Sequence, residues 1–198
     1  MKKQNRWKDH YTDRAREEKW LARSIYKLEE IDKKQRLIKR GFRLLDLGCF
    51  PGSWSQYCLK KVGKTGEVIG LDIKSPDRIN ADNFRFIKAD ILTLDMERLA
   101  LKVGKMDIVI SDMAPQTSGI RVADTVRSIA LAEKAFEIAR AVLKKKGHFL
   151  CKIFEGEELK SFRGGVSKYF DQIKLLRPEA VRKRSREVYL LGKGFITI

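Results

Sequence analysis

From Arg43 onward, short apolar runs alternate with longer polar stretches: RLLDLG, EVIGLDI, FRFIKAD, MDIVISD, GHFLCKIF and EVYLLGKGFITI. Runs of this length suit strands buried on both faces, which occur where helices cover both sides of a mostly parallel sheet. The predicted fold class is therefore α/β. A long helix is predicted from Thr125 to Lys146, where Ile129, Ala132, Phe136, Ala139 and Leu143 recur at helical spacing before Gly147 stops it. A second is predicted from Ala22 to Ile38, with Ile25, Leu28, Ile31 and Leu37 facing inward and Lys27 carried on the helix. The two closing runs, REVYLLG and GFITI, lie close enough in the chain to form an antiparallel pair.

At 198 residues the chain supplies one substantial core. A single domain is expected over 21–198, preceded by a basic arm at 1–20 that either becomes helical on the body of the protein or stays a solvated tail. A formal charge of +17 demands a polyanionic partner, with RNA or DNA first. No run approaches the length of a membrane span and no basic amphipathic helix suits a membrane surface, so no membrane partner is expected. The opening MKKQNRWKDH has no apolar stretch behind its charges, which predicts a cytoplasmic protein rather than a secreted one. Cys49, Cys58 and Cys151 are too widely spaced for a zinc site or a disulfide framework. With His10 and His148 the only histidines, no metal is expected.

The segment LLDLGCFPGSWSQ, Leu44–Gln56, places an acid and a glycine at the end of the first predicted strand, then a tight turn and a helix. Gly48 and Gly52 allow backbone to approach a ligand at the carboxyl edge of the sheet, where open α/β folds bind. The spacing is neither G-x-G-x-x-G nor G-x-x-x-x-G-K-[ST], which disfavours a nicotinamide dinucleotide and a nucleoside triphosphate. Asp46 would repel a pyrophosphate but suits a ligand bearing an ammonium and a sulfonium, as S-adenosylmethionine does. Asp72 and Asp90 end the next two predicted strands, the first placed for ribose hydroxyls and the second for an adenine amino group. Each could alternatively cap a helix.

Asp112, in MDIVISDMAPQTSG, falls at the same sheet edge. Lys152 sits in the otherwise apolar strand GHFLCKIF, where a lysine costs several kcal/mol unless it is paired or lines a cleft. Glu187 raises the same problem in SREVYLL.

These residues belong to a recognisable set: RSIYKLEEID, DLGCFPGSWSQY, SDMAPQTSG, CKIFEGE and RKRSREVYLL, in this order, resemble the bacterial FtsJ/RrmJ family of ribosomal RNA ribose 2′-O-methyltransferases over almost the full chain. Cys49 and Phe50 depart from that pattern, replacing alanines common in the family. The resemblance implies a Rossmann-like, S-adenosylmethionine-dependent methyltransferase fold with a seven-stranded, mostly parallel sheet. It implies that Lys27, Asp112, Lys152 and Glu187 are catalytic and that Gly52, Trp54, Asp72, Asp90 and Asp112 contact the cofactor.

The implied substrate is a uridine ribose of large-subunit (23S) ribosomal RNA, presented within the ribosomal subunit to a monomeric enzyme, with S-adenosylhomocysteine as product. Basic clusters fit such a substrate: Lys2, Lys3, Arg6, Lys8, Arg14 and Arg16 in the arm, and Arg182, Lys183, Arg184 and Arg186 before Glu187. Trp7, Tyr11 and Trp20 are expected to stack on RNA from the arm. Lys152 is expected to act as general base or to steer the hydroxyl, oriented by Asp112 and Glu187, with Lys27 on the hydroxyl or a phosphate. A lysine is a base only as its neutral amine, and neighbouring carboxylates favour the ammonium. The competing readings are methylation of transfer RNA or another RNA, a non-catalytic ribosome-assembly protein, and a Rossmann dehydrogenase.

Overall fold

The computed structural model describes residues 10–76 and 78–196. The core strands β1 (Arg43–Leu47), β2 (Glu67–Asp72), β3 (Phe84–Lys88), β4 (Met106–Ser111) and β5 (Leu143–Phe154) are parallel. Two more complete the sheet, β6 (Phe170–Leu176) and β7 (Glu187–Phe195). Among the described residues the sheet has seven strands in the order β3-β2-β1-β4-β5-β7-β6, with β7 antiparallel to both neighbours.

Alternate side chains along each central strand feed two cores. On one side Leu45, Leu47, Val109, Phe149, Cys151 and Ile153 pack beneath α4 (Met96–Val103), α5 (Arg121–Val142) and α6 (Glu158–Ser167). On the other, Leu44, Ile108, Ile110, Leu150, Tyr189 and Leu191 pack beneath α1 (His10–Glu17), α2 (Ile25–Gln35) and α3 (Ser53–Val62). All three cysteines are buried and free, as their apolar surroundings require.

Four expectations are corrected. The predicted Ala22–Ile38 helix begins at Ile25 and ends at Gln35, because Arg36 turns left-handed (φ 53°) and the buried Asp32 carboxylate accepts the Leu37 and Ile38 N–H groups. Asp32 also accepts the Tyr57 hydroxyl at 2.8 Å and pairs with Lys61 at 3.2 Å, tying α2 to α3. The long helix starts at Arg121 and stops at Val142, and Leu143 opens β5 instead of extending the helix. There Lys105 donates to the Ala141 carbonyl and Lys144 pairs with Asp107, drawing the chain onto β4.

REVYLLG and GFITI do not form a hairpin: β7 is one continuous strand, and its antiparallel partner is β6, in a segment with no predicted strand. β6 is an edge strand in which Asp171, Gln172 and Lys174 interrupt the apolar residues, so it carries no continuous run. Finally, Tyr11 and Trp20 pack on the body of the domain. Tyr11 lies against Tyr26 (5.3 Å between centroids), while Trp20 lies against Tyr57 and beneath Lys60. Trp7 and the basic residues Lys2, Lys3, Arg6 and Lys8 lie outside the described residues.

Candidate active site

The chain runs outward through β1, β2 and β3, then returns to place β4 on the other side of β1. At such a reversal the loops leaving two adjacent strands diverge and open a crevice at their carboxyl ends. The loop after β1 supplies Gly48 to it and the residue after β4 is Asp112. The resulting cleft, about 310 Å3, is lined by Gly48, Phe50, Asp72, Asp90, Asp112 and Met113 among others. Gly48 holds φ at +72°, and a Cβ there would collide with the Met113 side chain, so both conformation and space require glycine.

Asp72 accepts the Phe50 N–H (3.0 Å) and the Lys74 N–H (2.9 Å), while Asp90 accepts the Leu92 N–H (2.9 Å). A carboxylate has about four acceptor directions, so both keep capacity toward the cleft. Neither caps a helix; the nearest helix downstream, α4, is capped by Asp95.

Asp46, Gly52 and Trp54 are not among the cleft-lining residues. Asp46 is 1% exposed and its Oδ2 accepts the Ser55 hydroxyl at 2.7 Å. Burial pushes its carboxyl up to about 7, opposed by the Ser55 hydrogen bond and assisted by the charges of Asp112 and Asp72. Gly52 makes room for Leu21, Pro76 and Ile79. Trp54 donates its indole N–H to the Ser24 carbonyl at 2.9 Å, fixing the start of α2, and so the turn that carries Lys27.

Lys27, Asp112, Lys152 and Glu187 come together as two ion pairs. Lys152 Nζ lies 3.0 Å from Asp112 Oδ1 and also donates to the Asp112 carbonyl. Lys27 Nζ lies 2.5 Å from Glu187 Oε1, joining α2 to the start of β7. Glu187 thus holds Lys27, whereas the sequence reading had it orient Lys152. Burial disfavours the Asp112 charge, but the Lys152 and Lys27 charges and the Tyr189 hydroxyl outweigh it and hold this carboxyl below its ordinary range.

Sequence reasoning missed Tyr189. It is fully buried, pairs across the sheet with Lys152, lies 5.9 Å from Trp54 and donates its hydroxyl to Asp112 Oδ1 at 2.7 Å. The signal was available, since residues two apart on a strand share a face and Tyr189 follows Glu187 by two. Tyr189→Phe is expected to lower stability by about 1.5–3 kcal/mol in urea unfolding, the value of a hydrogen bond to a charged acceptor. An unchanged midpoint would remove the hydroxyl from this account.

A second cleft, about 480 Å3, begins at the Lys27–Glu187 pair and is lined by Arg23, Arg182 and Arg184. Burial, and then the charge of Arg182, lower the pKa of the Arg23 guanidinium. Arg186 turns away from the cleft, donating to the Thr125 hydroxyl and the Arg121 carbonyl of α5. An acid-lined cleft and an arginine-lined cleft therefore flank one cluster of paired lysines and carboxylates.

A profile of the FtsJ-like methyltransferases matches residues 20–195. The chain belongs to the FtsJ-like methyltransferase family. Within it, the protein named Ribosomal RNA large subunit methyltransferase E from Desulfatibacillum aliphaticivorans is 46% identical over 192 residues, covering 96% of this chain and 92% of the relative. One of the same name from Methanothermobacter thermautotrophicus is 41% identical over 192 residues, covering 96% and 91%. The crystal structure of a ribosomal RNA methyltransferase from Plasmodium falciparum superposes with a TM-score of 0.77 at 28% identity, covering 89% of this chain and 98% of that one. The FtsJ-like protein described here is thus a methyltransferase of Rossmann-like α/β fold, its sheet mixed through the antiparallel β7. No described helix is long and apolar enough to cross a membrane.

Proposed function

We propose that the protein transfers the methyl group of S-adenosylmethionine to the 2′-hydroxyl of a uridine in large-subunit (23S) ribosomal RNA, acting as a cytoplasmic monomer on the ribosomal subunit. The observation carrying this reading is the buried Lys152–Asp112 pair between clefts of opposite character. Aspartates at the ends of β2 and β3 suit ribose hydroxyls and an adenine amino group, and Gly48 lines the same cleft. Arg23, Arg182 and Arg184 suit the phosphates beside a target ribose. The names of the relatives agree with this substrate.

S-adenosylmethionine supplies an activated methyl: the ribose oxygen forms the new C–O bond, the S–C bond breaks to leave S-adenosylhomocysteine, and the hydroxyl proton departs to a base or to water. Asp112 accepts two donors from Lys152 Nζ, on its carboxylate and its carbonyl. One direction on Nζ remains. As an ammonium, Lys152 points a third N–H at the hydroxyl oxygen and fixes the line of attack. As a neutral amine, it presents its lone pair to the hydroxyl proton. Lys27, clamped by Glu187 at the mouth of the arginine-lined cleft, positions the nucleotide entering from that side.

The test is transfer of labelled methyl from S-adenosylmethionine to unmethylated large subunits, free ribosomal RNA and transfer RNA, with nuclease mapping of the product. Label in a 2′-O-methyluridine of the large subunit is expected. Label on a base, or in transfer RNA alone, overturns the assignment.

A further inference from the structure

We propose that a second basic groove, at the sheet edge opposite the catalytic cluster, is an RNA-backbone contact that grips the substrate far from the target nucleotide. The inference rests on the ribosomal RNA reading above. The groove, about 640 Å3, lies where α5 passes into β5 and is lined by Lys105, Arg140, Lys144, Lys145 and Tyr169, with Glu137 its one acid.

Part of this charge has a role within the fold. Lys105 donates to the Ala141 carbonyl at the end of α5 and Lys144 pairs with Asp107 at 2.8 Å. The rest does not. Lys145 is exposed and has no ion-pair or hydrogen-bond partner among the described residues. Arg140 lies over Tyr169, its guanidinium 4.3 Å from the ring centre, which places guanidinium donors beside an aromatic ring.

The turn itself is unusual. Lys144, Lys145 and Lys146 follow one another, and Lys146 adopts φ +65°, a conformation costly for a side chain with a Cβ. Lys144 and Lys145 line the groove at the start of β5, while Lys146 beside them pairs with Asp171 at 2.8 Å. A groove with four cations, one carboxylate and an aromatic ring matches a phosphate backbone with adjacent sugars or bases.

Lys144 and Lys152 lie on the same strand, eight residues apart. The chain bulges between Leu143 and His148, so the stretch from Leu143 to Cys151 matches only Met106–Ser111 of β4. At about 3.3 Å per residue the groove is therefore on the order of 17 Å from the catalytic lysine, beyond the phosphates flanking the target ribose. It would therefore engage a different part of a large folded RNA, which gives an enzyme with a small reaction site a means of selecting the subunit over a fragment.

Lys145→Glu is the primary variant because its exposed side chain forms no ion pair or hydrogen bond among the described residues; Arg140→Gln is the second. The measurements are steady-state methyl transfer and equilibrium binding to large subunits across a salt series, with thermal unfolding and S-adenosylmethionine binding confirming that each variant is folded. The expected result is a KM for subunits raised about tenfold with kcat within about twofold of wild type, and a log–log salt slope shallower by about one phosphate contact per variant. On a short hairpin carrying only the target nucleotide and its flanks, the variants should match wild type.

Unchanged KM and salt slope in folded variants overturn the proposal, as does an equal loss on the short hairpin. A change confined to binding of anionic lipid vesicles overturns it too. If wild type binds subunits through the groove but transfers no methyl to any RNA, the functional assignment fails and the groove stands.

Discussion

Lys152→Ala is expected to lower kcat for methyl transfer by about a hundred- to ten-thousandfold while leaving S-adenosylmethionine binding nearly intact. This range is what a positioned proton-transfer or hydroxyl-orienting group contributes. Lys152 does not line the acid-lined cleft, which explains the sparing of cofactor affinity. The same change strips the partly buried Asp112 carboxylate of its nearest cation, leaving the Tyr189 hydroxyl and the more distant Lys27 charge. Breaking a buried pair on one side costs about 3–5 kcal/mol. Activity is therefore measured below the variant's own unfolding temperature, with calorimetry of S-adenosylmethionine binding as the control for a folded site. A fall of less than about tenfold would remove Lys152 from the chemistry.

Asp46→Asn should change the pH dependence of folding more than any other conservative carboxylate substitution in this protein. Burial raises the Asp46 carboxyl to about 7 in the fold, against an ordinary value of 3.8. Between these values the unfolded chain has released this proton and the folded one still holds it, so stability falls as pH rises across that window and levels off above it. At about 1.4 kcal/mol per pH unit, the whole span amounts to about 4 kcal/mol. An asparagine resembles the protonated acid and can still accept from the Ser55 hydroxyl. The variant is therefore expected to match wild type near pH 4 and to exceed it by up to a few kcal/mol at pH 8, read from urea unfolding at each pH. The opposite contribution of Asp112 is present in both proteins and cancels. Parallel stability curves would show that Asp46 is ionised throughout.

The sequence was most legible where physics leaves least choice. The four inner parallel strands β2, β1, β4 and β5 are buried along their central residues, and each appears as an apolar run. The edge strand β3, only partly buried, was read from FRFIKAD because its apolar residues are interrupted only by Arg85 and Lys88. β6 escaped because an edge strand alternates with solvent-facing polar residues. The end of α5 was misplaced because three lysines after Val142 continue a helical pattern as readily as they begin a strand; the pairing of Leu143 with Met106 on β4, helped by Lys144 with Asp107, decides between them. The four candidate catalytic residues were named from motifs, but their pairing was not readable. Lys27 meets Glu187 because Trp54 anchors the start of α2 and β7 lies beside β5, and neither fact is local. Asp46 shares the strand face of Leu44, which the two-residue period of β1 places beneath α3 and away from the cleft.

The insertion of β7 between β5 and β6 also sets an order of events during synthesis. Lys27 emerges early, and Asp112 and Lys152 follow, but Glu187 and Tyr189 arrive only with the strand that joins β6 to the sheet. A nascent chain that stops short of β7 leaves the edge of β5 unpaired, Lys27 without its carboxylate and Asp112 without its phenol. If the proposed centre is the working one, competence for chemistry is coupled to closure of the sheet, and a chain truncated before β7 is expected to transfer no methyl to RNA.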